Sequence, residues 1–344
     1  MTPYKLDRVC IVMMSAVGDA VHVLPVINAI KRQHPASHIT WVLQPAPASL
    51  VRGHPAVDDI VIFDRSRGWR AFMEMRRELS RRRFDVLIDL QVYLKAGIVT
   101  ALSGAPVRLG FDRARARDIN WIFTNKRIPA SPMQHVQDQY FEFLKELGVS
   151  PEPIEWNLGP WPDEREAQRK RVERIGGSYA AIVVATSKPE KDWNPDRWAA
   201  VCDVLKDKYD LQPVLVGADS ERERDATATI TARAKSAPIS ALGSGLRNLV
   251  SILDASEIVL SPDTGPLHMA VAIDKPVISL IGYTDPRRTG PFRKFQDLII
   301  DAYHDPEESG PVTMETRSGR MQRIAVADVE DRLAIWSDRY RRKP

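Results

Sequence analysis

Apolar and polar positions along this chain follow two rhythms that take turns. Short runs dense in Val, Ile and Leu are separated by longer stretches whose apolar positions recur every three or four residues. The first kind reads as strand buried on both faces and the second as amphipathic helix. Their alternation is the signature of parallel sheets with crossover helices. In the first half the strand candidates are RVCIVMM (8–14), HITWVLQ (38–44), DIVIF (59–63), FDVLIDL (84–90) and VRLGF (107–111), with helical patterning over 69–82 and 135–147. GVSPEPIEWNLGPWPDE (148–164) then brings four prolines and turn chemistry in place of periodicity. The rhythm restarts with YAAIVVAT (179–186), a helix near 195–208, QPVLVGA (212–218), a helix from about 219 and SEIVLSP (256–262). GPLHMAVAI opens another helix, PVISLIG (276–282) is a strand, and 326–341 patterns as a last amphipathic helix.

The expected fold class is therefore α/β. Two Rossmann-like domains with parallel sheets, 1–150 and 166–325, face a cleft; a linker over 151–165 joins them and a C-terminal helix, 326–344, follows. Ligands of such sheets bind beyond the carboxyl ends of the strands, so the residues just after each strand carry the chemistry to look for.

After the first strand comes MMSAVGDAVHVLP (13–25), in which Gly18 and Asp19 interrupt an apolar run with no basic residue near them. Asp19 suits the first turn of a helix, where an acid faces the positive end of the dipole. That is its simplest use; it also suits a cleft-side carboxylate, with Gly18 leaving room for a ligand. Pro25 requires the following helix either to begin late or to kink.

Three post-strand loops of the second half complement one another. In SPDTGPLHM (261–269), Asp263 or Thr264 can cap a helix that Pro266 starts, and Gly265 lets the backbone approach an anion. The N–H groups freed there suit a phosphate, with His268 early in the same helix. ATSKPEKDWNPDRW (185–198) offers hydroxyls from Thr186 and Ser187 and charges from Lys188 and Lys191, then a helix start at Asn194-Pro195. In VGADSERERD (216–225), Glu221 can accept the two hydroxyls of a ribose. Each loop also has a plainer use, as a helix cap or a solvated charge. Together they hold the inventory of a nucleotide-diphosphate site. No His or Cys cluster and no Asp-x-Asp pair suggests a metal, so lysine charge and helix N-termini would have to steady a departing diphosphate.

Composition narrows the class. With 44% apolar and 27% charged residues, the 344-residue chain is an ordinary globular protein long enough for two domains. The net charge of +4 is mild, but arginines crowd 65–83 and 108–127. Such clusters suit an anionic glycolipid, a membrane surface or nucleic acid, or are solvated helix faces. Nucleic acid ranks last, since no aromatic–basic interleaving accompanies them. Cys10 and Cys202 stand in apolar contexts far apart and read as buried thiols. Lys5 and Arg8 precede an apolar run that Asp19 and His22 interrupt, and no stretch of about 18 apolar residues follows; neither a signal peptide nor a membrane span is expected. A cytoplasmic protein, with peripheral contact at the inner membrane, is the expectation.

SAVGDAVHVLPVINAIKRQHPASHITWVLQP and SPDTGPLHMAVAIDKPVISLIGYTDPRRTGP, with TSKPEKDW and VGADSERE between them, resemble the bacterial lipopolysaccharide heptosyltransferases of glycosyltransferase family nine. The resemblance runs over nearly the whole chain. It implies the GT-B fold, with the last helix packing back toward the N-terminal domain. It also implies inverting transfer of a heptose from ADP-heptose to a lipopolysaccharide-core or related glycan, without metal or other cofactor. By the same resemblance Asp19 is the catalytic base. Thr186, Ser187 and Lys191 contact the donor diphosphate, Glu221 the ribose and Asp263 the sugar hydroxyls, while Thr264, Gly265 and His268 line the donor site. Gly18, His135, Arg113 and Arg117 are the acceptor-side candidates. The chain departs from the family where an arginine is usual and Gln139 stands, and where KDWN replaces Lys-x-Trp-Pro.

Other readings stay open at this point. A sugar-nucleotide epimerase would convert the free donor without an acceptor. A non-catalytic nucleotide-sugar or glycan-binding protein would bind without turnover. A nicotinamide-dependent oxidoreductase lacks its G-x-G-x-x-G after either first strand.

Overall fold

A computed structural model of the chain describes residues 4–341. They form two compact units. The first comprises the described residues up to Pro132 together with Val136–Asn157, and the second Met133–His135 together with those from Leu158 on.

In the first unit the elements are β1 (Arg8–Val12), α1 (Val17–Gln33), β2 (His38–Leu43), α2 (Pro45–Val51), β3 (Asp59–Ile62), α3 (Trp69–Ser80), β4 (Val86–Asp89), α4 (Leu94–Leu102), β5 (Val107–Gly110), β6 (Lys126–Arg127) and α5 (Val136–Leu147). The strands pair in parallel in the order β3-β2-β1-β4-β5-β6. Central β1 is apolar throughout after Arg8 because helices cover both sheet faces, and its Val9–Val12 are buried. Register runs Val9 to Ile39 on one side and Val9 to Val86 on the other.

The second unit repeats the plan with α6 (Arg165–Ile175), β7 (Tyr179–Val183), α7 (Pro195–Tyr209), β8 (Gln212–Val216), α8 (Glu221–Arg233), β9 (Ile239–Ser240), α9 (Leu246–Ala255), β10 (Ile258–Pro262), α10 (Gly265–Ala272), β11 (Val277–Ile281), α11 (Pro286–Thr289), β12 (Ile299–Asp301) and α12 (Val326–Arg339). Its sheet order is β12-β11-β10-β7-β8-β9, all parallel.

Both sheets are built outward from the first strand, β1 or β7, in one direction, and then restart on its other side with the fourth. Each thus has a switch point, between β1 and β4 and between β7 and β10, where crevices open at the carboxyl edge.

Three local outcomes add to the sequence pattern. First, α1 begins at Val17 and contains Pro25, so the helix does not start late. Pro25 has no N–H to give the helix ladder, and burial of every residue from Ala20 to Ile30 holds the helix in place. Second, the start of the proline-rich stretch is bonded to α1. The Arg32 guanidinium donates to the carbonyls of Ser150, Pro151, Glu152 and Pro153, and Asn28 donates to that of Glu155 (2.7 Å). Trp156 and Leu158 are buried. Third, α12 buries Val329, Leu333 and Trp336, one helical face, against α7, β11 and β12 of its own unit. No helix among the described residues is long and apolar enough to cross a membrane.

Candidate functional site

In the first unit the switch point holds Asp19. The turn between β1 and α1 is fixed by Gln91, in the loop after β4: Met14 N–H donates to its Oε1 (3.0 Å), and its Nε2 donates to Ser15 O (2.7 Å). Ala16 caps α1, and its N–H donates to Asp19 Oδ2 (2.9 Å), the reciprocal half of a capping box. The other carboxylate oxygen lies 3.5 Å from the Tyr140 hydroxyl. Asp19 is half-buried, with Gly18 beside it in the same turn. Below this turn, Asp89 at the end of β4 is fully buried, which pushes its carboxyl up to about 7 against hydrogen bonds from Asn120, Thr100 and the Gln91 N–H. Asp89 thus anchors the residue that fixes the Asp19 turn. Neither Asp89 nor Gln91 stood out in the sequence, since a lone acid at a strand end and a neutral amide carry no signal.

The arginine cluster divides by role. Arg115 is buried in ion pairs with Asp112 (2.5 Å) and Glu142 (2.6 Å), and the Arg108 guanidinium donates to Phe123 and Ala105 carbonyls. These two hold the fold. Arg113 is exposed with its guanidinium 4.4 Å from the Trp121 ring centroid, and Arg117 is exposed with its N–H bonded to Val92 O (2.8 Å). His135, expected in the acceptor domain, clusters with the second unit; its Nε2 is 3.0 Å from Gly290 O and its ring packs on Phe292.

In the second unit the switch point gathers the loops after β7 and β10. The Asp263 side chain does not cap α10, which settles one alternative left open by the sequence. Its Oδ2 accepts from Lys191 Nζ (2.7 Å), from the Thr284 hydroxyl and from the Thr289 hydroxyl (3.2 Å). His268 Nε2 approaches Oδ1 at 3.9 Å. Burial would raise the Asp263 carboxyl, but the charges of Lys191 and His268 and the hydrogen bonds from Lys191 and Thr284 outweigh it and hold it below the usual range. Burial pushes His268 down to about 4 against the opposing pull of Asp263, so it is neutral near pH 7. The cation here is Lys191.

Thr264 occupies the N-cap of α10 without a side-chain bond to the helix, and Gly265 and Pro266 open its first turn. In the β7 loop, the Thr186 N–H and hydroxyl lie 2.7 and 2.9 Å from Asp192 Oδ1, and Asp192 pairs with Arg222 (2.8 Å). Thr186 therefore shapes the loop that carries Lys191, while Ser187 and Lys188 are exposed and Lys188 Nζ lies 5.4 Å from the Tyr283 ring centroid. Glu221 is exposed in the first turn of α8. The buried acid there is Glu223, which closes a capping box with Ser220 and also accepts from Ala218 N–H (2.8 Å). Gly217 makes that turn possible, since a Cβ would stand 2.7 Å from Glu223 and 2.9 Å from Leu242. Thr284 and Thr289 were missed in the sequence because only the fold returns them to Asp263.

Two sheets of this order, each with polar residues gathered at its switch point, define a GT-B architecture. The solved glycosyltransferase of family 9 from Veillonella parvula DSM 2008 superposes with a TM-score of 0.82 at 19% identity over 96% of this chain and 97% of that one. Escherichia coli WaaC, solved with ADP-2-deoxy-2-fluoro heptose, superposes with a TM-score of 0.74 at 21% identity over 95% and 99%. The lipopolysaccharide core heptosyltransferase OpsX of Haemophilus influenzae is 29% identical over 86% of this chain and 84% of its own length. The model of glycosyltransferase family 9 (heptosyltransferase) matches residues 72–315. The chain belongs to that family and is a glycosyltransferase.

Proposed function

We propose that this enzyme transfers a heptose, with inversion, from ADP-heptose to a lipopolysaccharide-core or closely related anionic glycolipid, without a divalent metal. One observation carries the donor side: Lys191 and buried Asp263 form a clamped ion pair beside the N-terminal turn of α10. A cation next to freed helix amides suits a diphosphate and the charge that grows on it as the sugar leaves. Asp263, held ionised, accepts from sugar hydroxyls, and Thr264, Gly265 and His268 complete the wall. Ser187 adds a hydroxyl to the phosphates and exposed Glu221 takes the ribose. The solved WaaC relative holds an ADP-heptose analogue and the OpsX relative is named for the lipopolysaccharide core, which supports the same donor and acceptor here. Asp19 removes the acceptor proton as its oxygen attacks the anomeric carbon opposite the diphosphate. Gly18, Arg113, Arg117 and His135 serve the anionic acceptor.

The test is thermal stabilisation by a panel of nucleotides and nucleotide sugars, since a ligand bound only by the folded state raises the midpoint. ADP and ADP-heptose are expected to raise it, UDP-sugars are not, and chelator is expected to leave both shift and transfer unchanged. A chain indifferent to every ADP compound would rule the donor out. An ADP-sugar altered in the absence of acceptor would point to epimerisation instead.

The turn below Asp19 gives a second expectation. Gln91→Ala removes both bonds that hold the Met14 N–H and the Ser15 carbonyl, and a misplaced base loses rate without losing donor affinity. We expect kcat to fall by about 10- to 100-fold, with the ADP Kd unchanged by calorimetry. A lowered ADP affinity with normal kcat would show that Gln91 does not act through Asp19.

A further inference from the structure

The large apolar side chains exposed among the described residues all belong to the first unit, and six of them, Trp69, Met73, Tyr93, Leu94, Ile119 and Ile122, sit on three adjoining pieces of it. Helix α3 packs on α4, and α4 on the turn at Asn120–Phe123. That turn is tied to the start of α4 by Asn120 Nδ2 donating to Tyr93 O (3.0 Å) and Arg117 N–H to Val92 O (2.8 Å). Because α3 follows β3 and α4 follows β4, the first turns of both helices lie at the carboxyl edge of the sheet. The Asp19 turn, after β1, opens at the same edge.

These residues are not leftovers of a core. On α3, Ala71, Met75 and Leu79 form the buried face. At about 100° per residue, Trp69 and Met73 make a second apolar stripe on the solvent side. Trp69 is 71% exposed and Met73 56%, and the exposed Arg70, Arg76 and Arg77 flank them. Lys95 extends the positive rim on α4. Ile119 is a β-branched residue at φ +56° that is 56% exposed, so the backbone holds an unfavourable conformation while its side chain faces solvent. A Trp-led apolar patch bordered by arginines suits a surface whose interior is apolar and whose face is negative.

We propose that this edge of the first unit docks on an anionic phospholipid bilayer, with Trp69, Met73, Tyr93, Leu94, Ile119 and Ile122 entering the headgroup region and the α3 arginines meeting lipid phosphates. The inference deepens the reading above, since docking would hold the Asp19 edge at the level where a lipid-borne acceptor presents its sugars. Its test needs no acceptor or nucleotide, so failure of the ADP-heptose reading leaves it untouched.

The whole chain is co-sedimented with vesicles of phosphatidylethanolamine and phosphatidylglycerol, and with phosphatidylcholine alone. Binding to the anionic vesicles only, weakened by salt, is expected. Trp69→Ser with Met73→Ser should weaken it at least about tenfold, and Arg70→Gln with Arg76→Gln and Arg77→Gln should remove most of its salt dependence. Trp69→Phe with Met73→Leu should bind like the parent, and all these variants should keep its melting midpoint. The proposal is overturned if the parent ignores anionic vesicles or if the serine variant binds them equally. It is also overturned if sedimentation equilibrium shows a dimer that the serine variant loses, because a second copy would then be what covers the patch.

Discussion

Replacing Asp19 by asparagine is expected to lower kcat by about 10²- to 10⁴-fold, the range a positioned general base supplies, and to leave ADP affinity unchanged. Asparagine is the informative substitution because of what Asp19 does structurally. Its Oδ2 accepts from the Ala16 N–H at the head of α1, and an amide oxygen can do the same. The helix start therefore survives and the melting midpoint should stay near that of the parent. What asparagine lacks is a basic oxygen to take the proton from the attacking hydroxyl. Asp19→Ala removes cap and base together, so it should lose the same rate and, in addition, stability on the order of 1 kcal/mol. The pair of variants separates the two uses of an acid in a first helical turn. Near-normal turnover by Asp19→Asn would leave Asp19 as a helix-starting residue only. Single-turnover release of ADP with saturating donor and acceptor reads the chemical step, and calorimetric titration of ADP reads donor binding.

How far the sequence reached can be seen in particular residues. The buried strands were legible because a parallel strand covered on both faces is apolar over nearly all its length, as β1 after Arg8, β7 and β10 up to Ser261 are. Edge strands β6 and β9 were not, being two residues long and partly polar. The Asp263 loop showed itself through turn chemistry, but its bland alternative, a self-capping aspartate, fell only when the structure brought Lys191, Thr284 and Thr289 to its carboxylate. Lys188 and Lys191 look alike in a loop sequence, and three-dimensional pairing distinguishes them. Glu221 and Glu223 show the reverse lesson: Ser220-x-x-Glu223 was a readable capping box. It leaves Glu221 as the exposed acid of the first turn of α8. Switch-point topology explains why the Asp19 and Asp263 sites draw on the loops after β1 and β4 and after β7 and β10, a relation that strand order creates and linear sequence hides.

The Lys191–Asp263 pair should give the largest effect on the donor side. Lys191→Met removes the cation 2.7 Å from a carboxylate whose side chain is 7% exposed. Two threonine hydroxyls and a neutral His268 remain around it, and they do not replace a charge. Breaking a buried pair from one side costs about 3–5 kcal/mol, and the low end applies because the Lys191 side chain is 18% exposed. The pH dependence follows from the sign of the Asp263 shift. A carboxyl held below its unfolded value adds stability that is fully present above about pH 4 and is lost as pH falls through the folded value. In Lys191→Met the main charge opposing burial is gone, so the folded carboxyl rises and protonation relieves the defect. The stability gap between parent and variant should therefore be widest near neutral pH and close as the medium is acidified below about pH 4, as urea unfolding at several pH values will show. Donor binding gives an independent measure: a lost charge-assisted contact to phosphate is worth about 1.5–3 kcal/mol, or roughly 10- to 150-fold in the ADP Kd. Adenosine, which has no phosphate, should bind the variant and the parent alike. Equal losses for ADP and adenosine would mean that Lys191 supports the fold of the site without touching the diphosphate, and an unchanged ADP Kd would remove it from the donor site altogether.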